Sequence, residues 1–170
     1  MDPTYGYGGF YKSIIPKPRF VFDNRTLDGV SAVSDCTRLP LRDKAVHSIV
    51  FDPPFIIRGN RTESTRGKMA NRFGCFHDRG EREVFYLMSL MEFYRVLDKG
   101  GILIFKCQDE VDSHINVFTH VYVHEAALSV GYTPEDLFIL TRKSTIGRYN
   151  IKHQEHARKF HSYFWVFKKK

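Results

Sequence analysis

Cysteine is scarce in this chain of 170 residues, with only Cys36, Cys75 and Cys107. The number is odd, the spacing is wide and no Cys-x-x-Cys pair occurs, which excludes a disulfide scaffold and a structural zinc knuckle. Long apolar runs are missing too: none approaches the roughly 18 residues of a membrane span. The start, Met1 to Gly9, is polar and Gly-rich and reads as no secretory signal. These absences predict an intracellular protein, cytoplasmic or nuclear, with no membrane partner. Acid is the minority charge, 19 Asp and Glu against 26 Lys and Arg, a formal +7. That excess suits a polyanionic partner without naming one. A hydrophobic share of 42% with 15% aromatics excludes a disordered chain. The length predicts one domain over residues 1–170, with no repeat, low-complexity tract or linker.

What is present is an alternation of short apolar runs and helical segments, the pattern of an α/β sheet. Candidate strands are Arg19–Phe22, Val30–Ser34, His47–Phe51, Ile102–Lys106, Leu137–Leu140 and Ser162–Phe167. The last two are apolar at successive positions and are expected to be buried on both faces. A helix is expected from Glu81 to Leu97, with Val84, Leu87, Met88, Met91 and Tyr94 as its apolar stripe. A second is expected from His114 to Val130, closed by Gly131, although its β-branched residues Val117, Thr119, Val121 and Val123 weaken the local preference. Two long basic stretches lie between these elements, Arg58 to Arg79 and Thr141 to Lys159, and give candidate substrate loops at 56–80 and 142–160. Loops of that length in a compact domain tend to be functional or disordered.

The sharpest local signal is Phe51-Asp52-Pro53-Pro54-Phe55, directly after the His47–Phe51 strand. It places a carboxylate, a carbonyl in a stiff turn and an aromatic ring at the carboxyl end of a strand, where open α/β sheets bind ligands. Asp52 and the Pro53 carbonyl can each accept one hydrogen bond from an exocyclic amino group, and Phe55 can stack on the heterocycle that carries it. Pro54 completes the rigid turn. An ordinary strand-ending turn would use the same residue types, so the motif gains weight from its company. Upstream lie a glycine-rich turn, Asp2-Pro3-Thr4-Tyr5-Gly6-Tyr7-Gly8-Gly9, and two further strand-end carboxylates, Asp23 and Asp35.

In this order the motifs resemble the S-adenosylmethionine-dependent methyltransferases that modify exocyclic amino groups of nucleic-acid bases. DPPF matches their D/N/S-P-P-Y/F/W motif, DPTYGYGGF is similar to their cofactor glycine motif, LDKGGILIFK to the fifth-strand region and FHSYFWVFKK to the final strand. The resemblance implies a Rossmann-like sheet, mostly parallel with an antiparallel last strand and helices on both faces. The first strand of that family should precede Asp2, where the chain has only Met1, so this strand is expected to be truncated. The resemblance further implies S-adenosyl-L-methionine as cofactor, with Asp2, Thr4, Gly6 and Gly8 at its methionine end. Asp23, or Asp28 in the same turn, would face its ribose, and Asp35 with the Cys36 backbone its adenine. Asp52, Pro53, Pro54 and Phe55 would receive the target base, adenine N6 in DNA before adenine in RNA. A non-catalytic nucleic-acid-binding subunit of the same fold is the alternative from another class.

The basic stretches would serve the nucleic acid through Arg58, Arg61, Arg66, Lys68, Arg72, Arg148, Lys152 and Arg158, with Phe73, Phe76 and Tyr149 as stacking positions. No metal is required. His120 and His124 stand at i, i+4 without the Glu of a zincin pattern, and Cys36 and Cys107 read as small buried residues.

Overall fold

The computed structural model describes residues 1–11, 15–57, 74–112, 114–141, 156–157, 159 and 161–170. In chain order the elements are β1 (Phe22–Asp23), β2 (Ala32–Val33), β3 (Val46–Phe51), α1 (Arg79–Val96), β4 (Leu97–Cys107), β5 (Glu110–Asp112), β6 (Ile115–Val117), α2 (Thr119–Val130), β7 (Tyr132–Thr141) and β8 (His161–Lys169). A single 3-10 turn at Gly9–Tyr11 follows the glycine-rich opening.

Four strands form the main sheet in the order β3-β4-β8-β7. β3 runs parallel to β4 with Phe51 opposite Phe105, while β8 is antiparallel to both β4 and β7. β1 and β2 form a separate parallel pair. Met1 and Asp2 join the two sheets. On one side the Asp2 N–H donates to the Phe20 carbonyl at 2.9 Å and the Phe22 N–H to the Asp2 carbonyl at 2.8 Å; on the other the Val50 N–H donates to the Met1 carbonyl at 2.9 Å. The Met1 amino group adds a bond to the Ser48 carbonyl at 2.8 Å. Two residues thus occupy the central position that was expected to hold a truncated strand, and Asp2 emerges at its carboxyl end.

Helix α1 begins at Asp78, whose side chain accepts the Glu81 N–H, and Glu81 in the first turn suits the positive end of the helix dipole. Its buried positions are Arg82, Tyr86, Ser89, Leu90, Phe93 and Val96. Of the stripe expected from the sequence, Leu87 and Tyr94 are half-buried against the core, while Val84, Met88 and Met91 are exposed. α1 carries apolar residues around most of its circumference, and the face with the three large aromatic and leucine side chains wins the sheet because it buries more area. Tyr86 and Phe93 pack edge-on against Phe105 and Phe51, and Phe51 also meets Phe105 with centroids 4.9 Å apart.

The second helix is shorter than expected. Residues before Thr119 form the antiparallel β5–β6 hairpin, and the helix runs only from Thr119 to Gly131, which closes it in the left-handed conformation at φ 112°. Ile115 and Val117, β-branched and costly in a helix, pair as a strand once β5 offers a partner. α1 and α2 pack on the same side of the sheet, the side carrying Phe51, Phe105, Trp165 and Phe167. Among the described residues the expected helices therefore cover one face.

β7 also departs from expectation. Phe138, Ile139 and Leu140 are exposed rather than buried because β7 is an edge strand whose one neighbour among the described residues is β8. No helix among the described residues is long and apolar enough to cross a membrane.

Candidate functional site

β3 and β4 run parallel, so Asp52 and Lys106 leave the sheet at the same edge. There Lys106 Nζ lies 2.9 and 3.0 Å from the two oxygens of the Asp52 carboxylate. Burial pushes the Asp52 carboxyl up from the ordinary aspartate range, and the Lys106 ammonium pulls it part of the way back. The side chain is still 29% exposed, and a carboxylate has acceptor sites beyond the two that face the lysine.

The turn behind Asp52 is held from helix α1. The Tyr86 hydroxyl donates to the Pro54 carbonyl at 2.8 Å, and Arg82 Nη1 donates to the Phe55 carbonyl at 3.3 Å. Arg82 is fully buried and also pairs with Glu110 at the start of the β5–β6 hairpin. Burial pushes the Tyr86 hydroxyl far above its usual range, so it remains a donor. Pro53 is buried, Phe55 half-buried, and no hydrogen bond among the described residues engages the Pro53 carbonyl.

The glycine-rich turn abuts the same turn. The Asp52 N–H donates to Thr4 Oγ1 at 3.0 Å, which fixes the opening segment against the DPPF turn. Gly6 and Gly8 take φ of 56° and 66°, the left-handed region that glycine enters without strain. Gly8 is tightly enclosed: a Cβ there would lie 2.6 Å from the Tyr5 hydroxyl. The carboxylates nearby are engaged within the chain. Asp2 accepts the Thr4 N–H at 2.8 Å on one oxygen and the Tyr11 hydroxyl at 2.8 Å on the other. Asp2 is buried without a side-chain cation among the described residues, and that burial lifts its carboxyl to about 6.

Asp23 accepts the Gly6 N–H at 2.9 Å and is clasped by Arg25, whose Nε lies 2.8 Å from Oδ1 and Nη2 3.1 Å from Oδ2. Burial raises this carboxyl, and Arg25 and the backbone donors more than offset it, so it ends below the usual range. Asp35 is exposed at the end of β2. Its Oδ1 accepts both the N–H and the hydroxyl of Thr37 at 2.8 Å, and its other oxygen has no partner among the described residues. Cys36 is buried with Sγ 3.6 Å from Ser89 Oγ, and burial pushes the thiol up to about 12. Asp28 is exposed in the turn after β1.

The structure thus brings Asp2, Thr4, Gly6, Gly8 and Asp23 into one cluster with Asp52–Phe55, and leaves Asp35 and Cys36 at the end of the adjacent β2. The basic residues Arg58, Arg61, Arg66, Lys68, Arg72, Arg148, Lys152 and Arg158 lie outside the described residues, as do Phe73 and Tyr149. Lys106, Tyr86, Arg82, Tyr11 and Arg25 were not read from the sequence. Lys106 had a legible signal, a lone cation ending the apolar run Ile102–Phe105. Tyr86 and Arg82 act through contacts across the chain that no local pattern announces, whereas Arg25 clasps Asp23 only two residues away. Among the described residues no group of three or more His, Cys, Asp or Glu side chains could hold a metal ion.

A two-residue central segment, parallel strands to either side, an antiparallel last strand and a glycine turn at the sheet's carboxyl edge define the Rossmann-like methyltransferase fold. A Thermotoga maritima S-adenosylmethionine-dependent methyltransferase, described as a possible histamine N-methyltransferase, is similar with a TM-score of 0.55 at 15% identity, over 99% of this chain and 80% of that one. A Pyrococcus horikoshii protein is similar with a TM-score of 0.51 at 16% identity, over 99% and 80%. A candidate DNA modification methylase from Thermus thermophilus is similar with a TM-score of 0.54 at 17% identity over 81% of this chain, which spans only 52% of that protein's length. No protein-family model and no curated protein matches the chain.

Proposed function

We propose that the chain transfers a methyl group from S-adenosylmethionine to an exocyclic amino group of a nucleic-acid base, adenine N6 in DNA. The observation that carries this reading is the Asp52 carboxylate, 29% exposed at the carboxyl edge with its N–H on Thr4 of the glycine turn, followed directly by Pro53, whose carbonyl has no hydrogen bond among the described residues. Two acceptors so placed match the two hydrogens of an amino group. Drawing on both hydrogens returns electron density to a nitrogen whose lone pair is otherwise delocalised into the ring, and holding the amine in place makes the displacement effectively unimolecular. Phe55 offers the stacking surface for the base, which a duplex must first release from its own stack. Lys106 opposes the burial that raises the Asp52 carboxyl and so favours its accepting form.

The residues fit the cofactor at two of three places. The buried Asp2, lacking a side-chain cation, would gain from a cationic ligand beside the glycine turn, and Asp35 keeps one oxygen open at the β2 end. Asp23 would reach a ribose only after Arg25 yields. When bound, the cofactor supplies a methyl group activated by its sulfonium. The DNA preference draws support from DPPF and from the Thermus neighbour's description; RNA adenine is the closest variant of the reading.

The closed carboxylates, Asp23 by Arg25 and Asp2 by Tyr11, favour a second reading, a nucleic-acid-binding subunit without transfer activity. Transfer of tritiated methyl to DNA and to RNA by the wild type and Asp52→Ala separates the two. Transfer to DNA that Asp52→Ala abolishes supports the enzyme. Failure to transfer to any nucleic acid overturns it, and equal activity in Asp52→Ala overturns the role of Asp52.

A further inference from the structure

Four of the chain's eight histidines gather at the carboxyl edge, beyond the residues that the proposed reaction uses. They come together because β4 passes through the β5–β6 hairpin into the start of α2, while β8, antiparallel to β4, begins at the same end with Tyr163 opposite Cys107. His156 is fixed by the His114 carbonyl at 2.6 Å and by Asn116 at 3.2 Å. His120 and His161 flank Tyr163: the His120 ring stacks on it at 4.1 Å and 17°, and His161 meets it edge-on at 5.0 Å.

The stack is rigid. Asp109, buried, accepts His120 Nδ1 at 2.8 Å, the His120 N–H at 3.2 Å and the Tyr163 hydroxyl. Trp165 Nε1 donates to the His120 carbonyl at 3.0 Å. Phe118 forms the outer wall, edge-on to His120, and is 55% exposed. It occupies the N-cap of α2, where a short polar side chain would satisfy the helix N–H groups, and makes no capping bond. The Lys159 ammonium stands 5.9 Å from the Phe118 ring centroid, and the Lys159 carbonyl accepts from Gln108 on the strand end that also carries Lys106. Of the acids on the adjoining Glu110–Asp112 strand and its approach, Glu110 is paired with Arg82 and Asp109 accepts from His120.

We infer that this rim seats an unpaired nucleotide flanking the target, its base stacked on Phe118 and its phosphate against Lys159. The inference rests on the nucleic-acid reading above and deepens it to a preference for single-stranded or locally opened substrate. An exposed ring beside a cation recognises any base by its π face, and only a base already out of its stack can reach it.

Fluorescence anisotropy with a labelled single-stranded oligonucleotide and its duplex tests this, using wild type, Phe118→Ala, Phe118→Trp, Lys159→Gln and Met88→Ala as an exposed control on α1. Phe118→Ala is expected to weaken single-strand binding about tenfold. Phe118→Trp should retain it, Lys159→Gln should lower the salt slope by roughly one, and Met88→Ala should behave as wild type. Titration with S-adenosylmethionine should be unchanged in Phe118→Ala. Wild type that binds the strand with Phe118→Ala unaffected overturns the inference alone. Wild type that binds neither strand nor duplex overturns the nucleic-acid reading itself.

Discussion

The Lys106 ammonium and the Asp52 carboxylate form an ion pair across two parallel strands, at 2.9 and 3.0 Å, from positions 54 apart in sequence. Burial disfavours the ionised Asp52 carboxylate, the stronger acceptor for its one amino hydrogen, and Lys106 opposes that burial. The lysine therefore sets the pH range in which the proposed acceptor pair exists.

Lys106→Met removes the influence that lowers the Asp52 carboxyl and leaves the burial that raises it. The acidic limb of the kcat/KM profile for methyl transfer should move to higher pH, with activity recovering as pH rises. A limb that stays in place would show that Asp52 ionisation does not govern the reaction.

Asp2 titrates near 6 in the folded chain and in the ordinary aspartate range when unfolded. Between those values the folded state binds more protons than the unfolded state, so stability falls as pH rises through the window and the cost is complete above about 6. Asp2→Asn keeps an acceptor for the Thr4 N–H and cannot ionise. Its thermal midpoint should gain on wild type at pH 8 relative to pH 4.5, read by calorimetry at both values.

Met88 and Phe93 sit on opposite faces of α1, one exposed and one fully buried against Phe51. Phe93→Ala should cost about 3–5 kcal/mol in urea unfolding, and Met88→Ala within roughly 0.5 kcal/mol. Similar losses at both would place the helix in another rotation.

Burial pushes the Cys36 thiol up to about 12 and that of Cys107 higher still, while Cys75 is only half-buried. Alkylation of the native protein at pH 8 should label Cys75 within minutes and the other two only after denaturation, as peptide mass spectrometry would record.

Much of the fold follows from local chemistry. Apolar runs of strand length, the glycine after Val130 and the prolines after Asp52 each act within a few residues, so the strands, the helix end and the DPPF turn were legible in order. The carboxyl-edge position of Asp52 followed from the same run, because a strand that ends in two prolines can go no further in its ladder. The glycine turn was legible for a comparable reason, since Gly6 and Gly8 adopt backbone angles that other residues avoid.

Other features arise only when distant segments meet. Periodicity showed that α1 was amphipathic but not which flank of its broad apolar face the sheet would take; the bulk of Tyr86, Leu90 and Phe93 decided it. Ile115–Val117 became a strand because β5 stood beside it, and β7 stayed exposed because nothing pairs with its outer edge among the described residues. Met1 and Asp2 took the central position through hydrogen bonds to segments about 20 and 50 residues away. Sequence alone determined the residue types at the strand ends and their order along the chain. Tertiary structure decided that Asp52 meets Lys106, because ion pairing depends on distance and burial, and for residues this far apart in sequence both exist only once β3 and β4 are side by side.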